Sequence, residues 1–374
     1  MPAGAANGGP QTVKAGAPAS TQFSCRVHLL EPDSGGRISG GYLYNRRITE
    51  GLTQIQRHAF SPGVLAEALA ALPIEQPLLV LLDSLFLNPE HMAPCLEWRQ
   101  RGEVRLGVLM HALPSFIERA QDRQLLSASL PLAPTPTELT LLDRLDLLVA
   151  PGPYVPRVVG EAGCAISCLV CPPGIDRSLA PRPTERPPHT PVRVLSIGNI
   201  TPLKGFSDGI AALAALADLA WDWSIVGDAS LAPQHVAALR AEAERAGIQD
   251  RVHLLGPKSH AETLEVLRQS DLLLLPSYTE NCPLVALEAL AAHVPVVGYD
   301  VGGLPDLVHH NETGLLAPLL DVTALSAQLR RLLEDAPQLQ RLSAGCRKAA
   351  PSLLTWGDAA RNFERQLSLW LIQS

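Results

Sequence analysis

The chain has 374 residues, of which 47% are hydrophobic, and a formal net charge of −7. This length exceeds one ordinary hydrophobic core and favours two domains of roughly 180 residues each, while the acidic balance argues against nucleic acid as the main partner. No apolar run approaches the roughly 20 residues of a membrane span, and the N-terminus lacks the layout of a signal peptide. Seven cysteines, an odd number, fit free thiols in a reducing compartment, so we expect a cytoplasmic protein.

The first half of the chain alternates between short apolar runs and helical patterns. Residues 1–21 are rich in Gly, Ala and Pro and are predicted to form a disordered tail. From residue 22 to residue 176 the alternation is typical of a doubly wound parallel sheet. A helix is predicted over residues 41–60, after the glycine-rich loop EPDSGGRISGG. The predicted strands are Ser24–Leu30, Leu78–Leu82, Val104–Met110, Asp146–Ala150 and Ala165–Cys171.

A proline-rich run separates the two halves. Residues 177–190, RSLAPRPTERPPHT, show no apolar periodicity and are predicted to form an exposed linker. Residues 191–355 again alternate between strand and helix patterns and predict a second doubly wound domain. The turn Gly198–Gly205 follows its first predicted strand, Val192–Ile197. The chain from residue 321 onward is predicted to be helical, with a last helix over residues 356–374.

One unit of the second domain carries two glutamates in defined positions. The apolar strand Leu272–Leu275 ends at Pro276, and a polar loop, a helix and the strand Pro295–Val297 follow. Glu280 lies in the loop and Glu288 in the helix, with seven residues between them. Ligands of open parallel sheets bind beyond the carboxyl ends of the strands, so Glu280 is placed to touch one. The alternative for both is a glutamate that faces solvent.

The residues around these glutamates resemble a known family. The run SYTENCPLVALEAL, followed by PVV and VGGLPDLV, is similar to the signature of the family 4 (group 1) glycosyltransferases, which are retaining enzymes that use nucleotide sugars. The resemblance covers about residues 23–374. It implies an α/β protein of the GT-B fold, with two facing Rossmann-like domains, an active site in the interdomain cleft, and a last helix that crosses back to the first domain. It also implies that Glu280 meets the hydroxyls of the donor sugar and that Glu288 holds the ribose.

The resemblance extends to residues of the first domain. It places the pair Gly40 and Gly41 under the phosphates of the donor, with Gly35 and Gly36 as the alternative pair. It places His111, which directly follows a predicted strand, against the reacting sugar. The residue after His111 departs from the family, because Ala112 stands where an aspartate is usual.

In the second domain, Lys204 and Gly205 match the family's Lys-Gly pair on the diphosphate. Asn199 stands where the family has arginine, and it supplies no charge. Lys204, with the amides of both glycine loops, including Gly302 and Gly303, would then stabilise the leaving diphosphate without a metal. The chain contains no Asp-x-Asp pair. His293 replaces a usual glycine at the end of a helix, which predicts a positive φ there.

The expected function is transfer of a hexose-like sugar from a nucleoside-diphosphate sugar to an unidentified acceptor, with no cofactor besides the donor and no nucleic acid partner. A catalytically degenerate nucleotide-sugar-binding protein and a sugar-nucleotide epimerase of the same fold are the alternatives; Asn199 and Ala112 suggest the degenerate protein. The acceptor is left open as a small molecule, a glycan or a lipid. Three arginines assigned to the first helix, Arg46, Arg47 and Arg57, suggest either contact with a membrane surface or a solvated face.

Three cysteines have the spacing of a radical-enzyme iron–sulphur site. Cys164, Cys168 and Cys171 form C-x3-C-x2-C. On a strand, however, Cys171 would face the side opposite to the other two, so the three thiolates could not converge. A buried strand with cysteines as small hydrophobic residues is therefore the favoured interpretation.

Overall fold

The computed structural model describes residues 26–36, 39–72, 78–100, 104–176 and 188–373. The predicted tail over residues 1–21 and most of the predicted linker, residues 177–187, lie outside the described residues. Within them the chain forms two six-stranded sheets, and each pair of neighbouring strands is parallel.

The first sheet has the strand order β2-β1-β3-β4-β5-β6. Its inner strands are covered by helices on both faces, so β3, LLVLLD, is buried at every position. The strands are β1 (Arg26–Pro32), β2 (Ile55–Phe60), β3 (Leu78–Asp83), β4 (Val104–Leu109), β5 (Leu147–Ala150) and β6 (Ser167–Val170). The helices are α1 (Gly40–Ile48), α2 (Leu65–Ala71), α3 (Pro89–Arg99), α4 (Pro114–Ala120), α5 (Arg123–Ala128), α6 (Pro136–Leu142) and α7 (Tyr154–Glu161).

The second sheet has the order β12-β11-β10-β7-β8-β9. Its central strand β10, LLLL, is buried at every position. The strands are β7 (Val192–Ile197), β8 (Trp221–Val226), β9 (Val252–Gly256), β10 (Leu272–Leu275), β11 (Val296–Asp300) and β12 (Gly314–Pro318). The helices are α8 (Phe206–Ala214), α9 (Pro233–Arg245), α10 (His260–Gln269), α11 (Leu284–Ala291), α12 (Val322–Glu334), α13 (Ala336–Ala349) and α14 (Trp356–Gln373).

The last helix, α14, packs against the first sheet's helix α1. Phe363 and Leu367 of α14 share one buried apolar cluster with Tyr44 of α1 and with Leu287 of α11. The rings of Trp356 and Tyr44 meet edge to face with centroids 6.3 Å apart. This cluster therefore joins helices that belong to the two sheets. No helix in the part of the chain described here is long and apolar enough to cross a membrane.

The predicted helix over residues 41–60 is wrong in its second half. Helix α1 ends at Ile48, a turn with Gly51 at φ 80° follows, and Ile55–Phe60 is the edge strand β2, paired with β1. The apolar residues at Ile48, Leu52 and Ile55 have helical spacing, but they lie in a helix, a turn and a strand. The spacing alone could not separate these three environments.

The strand that carries the cysteines is not the buried strand that the sequence suggested. β6 lies at the edge of the first sheet, and Ser167 and Cys168 are exposed. Cys171, just beyond the strand, is fully buried. No group of three or more His, Cys, Asp or Glu side chains within the described ranges is arranged to hold a metal.

The helix end at His293 confirms the predicted positive φ, which is 61°. His293 follows α11, and its carbonyl oxygen accepts a hydrogen bond from the Ser343 hydroxyl of α13 at 2.7 Å. A non-glycine residue in this conformation carries local strain.

Candidate functional site

The carboxyl edges of the two sheets meet, and most of the predicted site residues lie there. His111 follows β4 in the first sheet, and Glu280 lies in the loop after β10 in the second. The Asn281 side-chain amide donates a hydrogen bond to the His111 carbonyl oxygen at 2.8 Å. The loop that carries Glu280 is thereby tied directly to the first sheet.

Lys204 and Glu280 form an ion pair at this edge, with Nζ and Oε1 2.7 Å apart. Lys204 ends a short 3₁₀ turn after β7, and Gly205 follows at φ 62°. A Cβ built on Gly205 would lie 2.9 Å from the Pro276 carbonyl carbon, so only glycine lets this turn pack against the end of β10. That packing brings together two predicted residues that are 76 positions apart.

Gly302 and Gly303 support the backbone of the Glu280 loop. A Cβ on Gly302 would lie 2.8 Å from the Glu280 carbonyl carbon, and one on Gly303 would lie 2.9 Å from that of Asn281. The Gly303 N–H donates a hydrogen bond to the Glu280 carbonyl oxygen at 2.6 Å. This N–H already has a partner, so the structure gives no support to its predicted phosphate contact. The pair instead allows close approach of two chain segments.

Glu288 is buried on α11 and is held by a residue that the sequence reasoning missed. His260, the first residue of α10, lies with Nε2 2.7 Å from Glu288 Oε1. The hydrogen bond to Glu288 raises the pKa of His260 and outweighs its burial, and the nearby charge of Asp176 acts in the same direction. A capping box of Ser259 and Glu262 fixes the start of α10 at His260, and the sequence SHAE carries that local signal.

His111 lies in a polar cluster with Asn45, Asp83 and Glu31. His111 Nε2 is 2.7 Å from Asn45 Oδ1 and 3.6 Å from Asp83 Oδ2. Burial lowers the pKa of His111, and the charges of Asp83 and Glu31 oppose that shift. The sequence reasoning missed the other three residues, although Glu31 and Asp83 are carboxylates at the ends of strands that are otherwise largely apolar.

Gly40 and Gly41 are the first two residues of α1, and Ser39 caps the helix by accepting a hydrogen bond from the Tyr42 N–H. A Cβ on Gly40 would lie 3.7 Å from the Leu284 side chain of α11, and one on Gly41 would lie 3.3 Å from the His111 ring. This pair therefore lies between the sheets. The alternative pair, Gly35 and Gly36, lies in an exposed loop with open space around it.

Asn199 lies at the end of β7, where its Oδ1 accepts a long hydrogen bond of 3.4 Å from the Asp228 N–H. It thus connects the turns after β7 and β8.

The predicted cationic face of the first helix is not formed, because Arg57 lies on β2 and pairs with Glu31, while Arg47 pairs with Glu50 and Asp176. Arg46 and Arg57 are exposed and Arg47 is half-buried.

Comparisons with known proteins agree with this architecture. Residues 180–349 match the family described as glycosyl transferases group 1. The amylovoran biosynthesis glycosyltransferase AmsK of Erwinia amylovora is 35% identical over 152 residues, which cover 38% of this chain and 36% of AmsK. The chain spans about a third to a half of the length of the curated relatives it matches.

Solved structures resemble nearly the whole chain. Sucrose-phosphate synthase from Thermosynechococcus elongatus has a TM-score of 0.74 at 21% identity, with 93% of this chain and 100% of that chain covered. Anabaena HepE, solved in complex with UDP-glucose, has a TM-score of 0.73 at 17% identity, with 92% and 99% covered. These likenesses establish the GT-B fold. Residues 180–349 therefore carry a domain of the glycosyl transferases group 1 family.

Proposed function

We propose that this protein is a retaining, metal-independent glycosyltransferase that moves a sugar from a nucleoside-diphosphate sugar to an acceptor in the cleft between the two sheets. One observation carries the proposal: the Lys204–Glu280 pair and His111 come from opposite sheets and meet at their carboxyl edges, tied by the Asn281–His111 hydrogen bond. Ligands of open α/β sheets bind at this edge. The UDP-glucose complex of HepE, which has the same fold, supports a nucleotide-sugar donor.

The donor would be held mainly by the second domain. In the part of the chain that is described, Glu288 Oε1 is the oxygen bonded to His260, and Oε2 has no hydrogen-bond partner. That oxygen is suited to accept a hydrogen bond from a ribose hydroxyl. Glu280, in the loop between β10 and α11, would accept hydrogen bonds from the hydroxyls of the donor sugar.

The leaving group is the nucleoside diphosphate, on which negative charge increases as the glycosidic bond breaks. Lys204 supplies the cation that stabilises this charge, and its pairing with Glu280 keeps the ammonium at the strand edge before the donor arrives. Asn199 adds hydrogen-bond donors without charge. The N-terminus of α1 at Gly40 and Gly41 adds a favourable potential from the opposite sheet.

Retention requires the acceptor oxygen to bond to the anomeric carbon on the face from which the diphosphate leaves. The bond from this carbon to phosphate oxygen breaks, the bond to acceptor oxygen forms, and the proton of the acceptor hydroxyl passes to an oxygen of the departing phosphate on the same face. His111 enters the cleft from the first sheet and would orient a hydroxyl close to the reacting carbon. Closure of the two edges would exclude water, which competes with the acceptor.

The test is the release of nucleoside diphosphate from a panel of nucleotide sugars, measured by chromatography with and without candidate acceptors. We expect one donor to release its diphosphate in an acceptor-dependent manner, and the anomeric proton of the product to show retained configuration by NMR. Glu280→Gln should lower the rate by about 100-fold or more. Glu97→Gln, an exposed glutamate on α3, is the matched control and should leave the rate unchanged.

Two other outcomes would contradict transfer. Donor binding without release of diphosphate under any condition would identify a degenerate binding protein, which the departures at Asn199 and Ala112 would then explain. Conversion of the donor sugar to its epimer would identify an epimerase.

A further inference from the structure

Asn45 is a fully buried amide whose two hydrogens are both donated to carboxylates. It lies on α1, one helical turn after Gly41. Its Nδ2 donates to Glu31 Oε2 at 2.8 Å and to Asp83 Oδ2 at 3.0 Å. Both acceptors have their own fixed partners: Arg57 Nε donates to Glu31 Oε1 at 3.0 Å, and the Leu85 N–H donates to Asp83 Oδ1 at 3.0 Å.

These two bonds determine which way the amide points. A flipped Asn45 would place its carbonyl oxygen against two carboxylate oxygens and leave all three acceptors without a donor. The Oδ1 atom must therefore face the fourth member of the cluster, His111, whose Nε2 lies 2.7 Å away. Because Oδ1 can only accept a hydrogen bond, His111 Nε2 must carry a hydrogen.

The remaining ring nitrogen has a defined state as well. Burial lowers the pKa of His111, although Asp83 and Glu31 oppose this, so the ring is neutral near pH 7 and carries one hydrogen. With that hydrogen on Nε2, Nδ1 holds a lone pair, and it has no hydrogen-bond partner among the described residues. The Gly41 backbone and the edge-on ring of Tyr44, with its centroid 5.5 Å away, confine the imidazole.

We propose that Asn45 is a positioning residue that locks His111 in the Nε2–H tautomer, so that the Nδ1 lone pair accepts a hydrogen bond from a sugar hydroxyl in the cleft. The part of this inference that concerns the sugar rests on the proposed transferase function. The part that concerns the tautomer rests on the hydrogen bonds of Asn45, which place a hydrogen on Nε2, and on the burial that keeps the ring neutral.

The experiment is long-range ¹H–¹⁵N NMR of the full chain labelled at histidine, which separates protonated from bare ring nitrogens. The His111→Gln spectrum identifies the signals of His111. In the wild-type protein at pH 7, His111 should show a protonated Nε2 and a bare Nδ1. A protonated Nδ1, or two protonated nitrogens, would overturn the proposal, and this outcome requires no variant of Asn45 to fold.

Asn45→Ala should give a mixture of the two tautomers. Thr49→Ala is the control: Thr49 is the buried C-cap residue of α1, its hydroxyl donates to the Asn45 carbonyl oxygen at 2.8 Å, and its loss leaves the Asn45 amide in place, so the wild-type pattern should persist. An unchanged tautomer in Asn45→Ala would refute the role of Asn45. With a nucleotide-sugar donor, kcat of Asn45→Ala should fall about 10- to 100-fold, and the donor KM should change by no more than about twofold. If the His111 tautomers were as predicted but the protein transferred no sugar, only the proposed transferase function would be refuted.

Discussion

Substitution of Gly302 by alanine tests how the glycine pair supports Glu280. Gly302 has φ 60°, and a Cβ there would lie 2.8 Å from the Glu280 carbonyl carbon and would overlap its oxygen. Cβ atoms essentially never approach other heavy atoms within 3.0 Å, so the Glu280 backbone has to move. The left-handed conformation costs about 1–2 kcal/mol, and loss of the Gly303–Glu280 hydrogen bond costs about 1 kcal/mol. We therefore expect Gly302→Ala to lower the free energy of unfolding by roughly 2–3 kcal/mol.

Urea denaturation followed by tryptophan fluorescence measures this loss. Gly163→Ala is the matched control, because Gly163 has φ 87° and a Cβ there would meet nothing within 4 Å. This variant should lose only the conformational part, about 1–2 kcal/mol. If Gly302→Ala were no less stable than Gly163→Ala, the argument that close packing under Glu280 requires glycine would be refuted.

Three further predictions concern buried charges and histidines. Asp208→Ala removes a buried carboxylate that accepts hydrogen bonds from Arg123 and Tyr299, and it should lower the free energy of unfolding in urea by about 2–4 kcal/mol. The exposed Asp218→Ala, which removes a surface ion pair with Arg330, should cost clearly less, and equal losses would contradict this. Burial lowers the pKa of His28 to about 4, so the unfolded state takes up a proton first as the pH falls, and the free energy of unfolding should decrease from about pH 6.5 toward pH 4. His28→Leu should flatten the slope of unfolding free energy against pH in this range. An unchanged slope would exclude His28 as its source. The raised pKa of His260 has the opposite effect, because the hydrogen bond from protonated His260 to Glu288 stabilises the fold fully below about pH 6.5 and this stabilisation is lost as pH rises through the folded-state pKa. Glu288→Gln should remove this pH dependence in thermal melts between pH 5.5 and 8.5. If the dependence persisted in the variant, another group would be its source.

The sequence predicted the fold well where local pattern and fold agree. Buried parallel strands such as β3 and β10 are continuous apolar runs, so their existence could be read directly. The edge strand β2 could not, because it is mostly exposed and its apolar residues continue the helical spacing of α1.

The sequence identified individual residues of the candidate site but not the contacts between them. Glu280 and Lys204 each follow a strand, and this places them at the ligand edge. Their ion pair depends on packing across 76 positions, and the bond from His111 to Asn45 spans 66. No local pattern reports such contacts. The same holds for Gly302, whose close approach to Glu280 appears only once the two segments are folded together.

The central claim is that the edge carrying Lys204 and Glu280 binds a nucleotide sugar. Calorimetric titration of the purified chain with uridine, adenosine and guanosine diphosphate sugars tests it most directly. We predict that one of them binds, that Lys204→Ala lowers its affinity by about tenfold or more, and that Lys348→Ala, an exposed lysine on α13, has no effect. Binding by none of these donors, or equal affinity in Lys204→Ala and the wild-type protein, would contradict the claim.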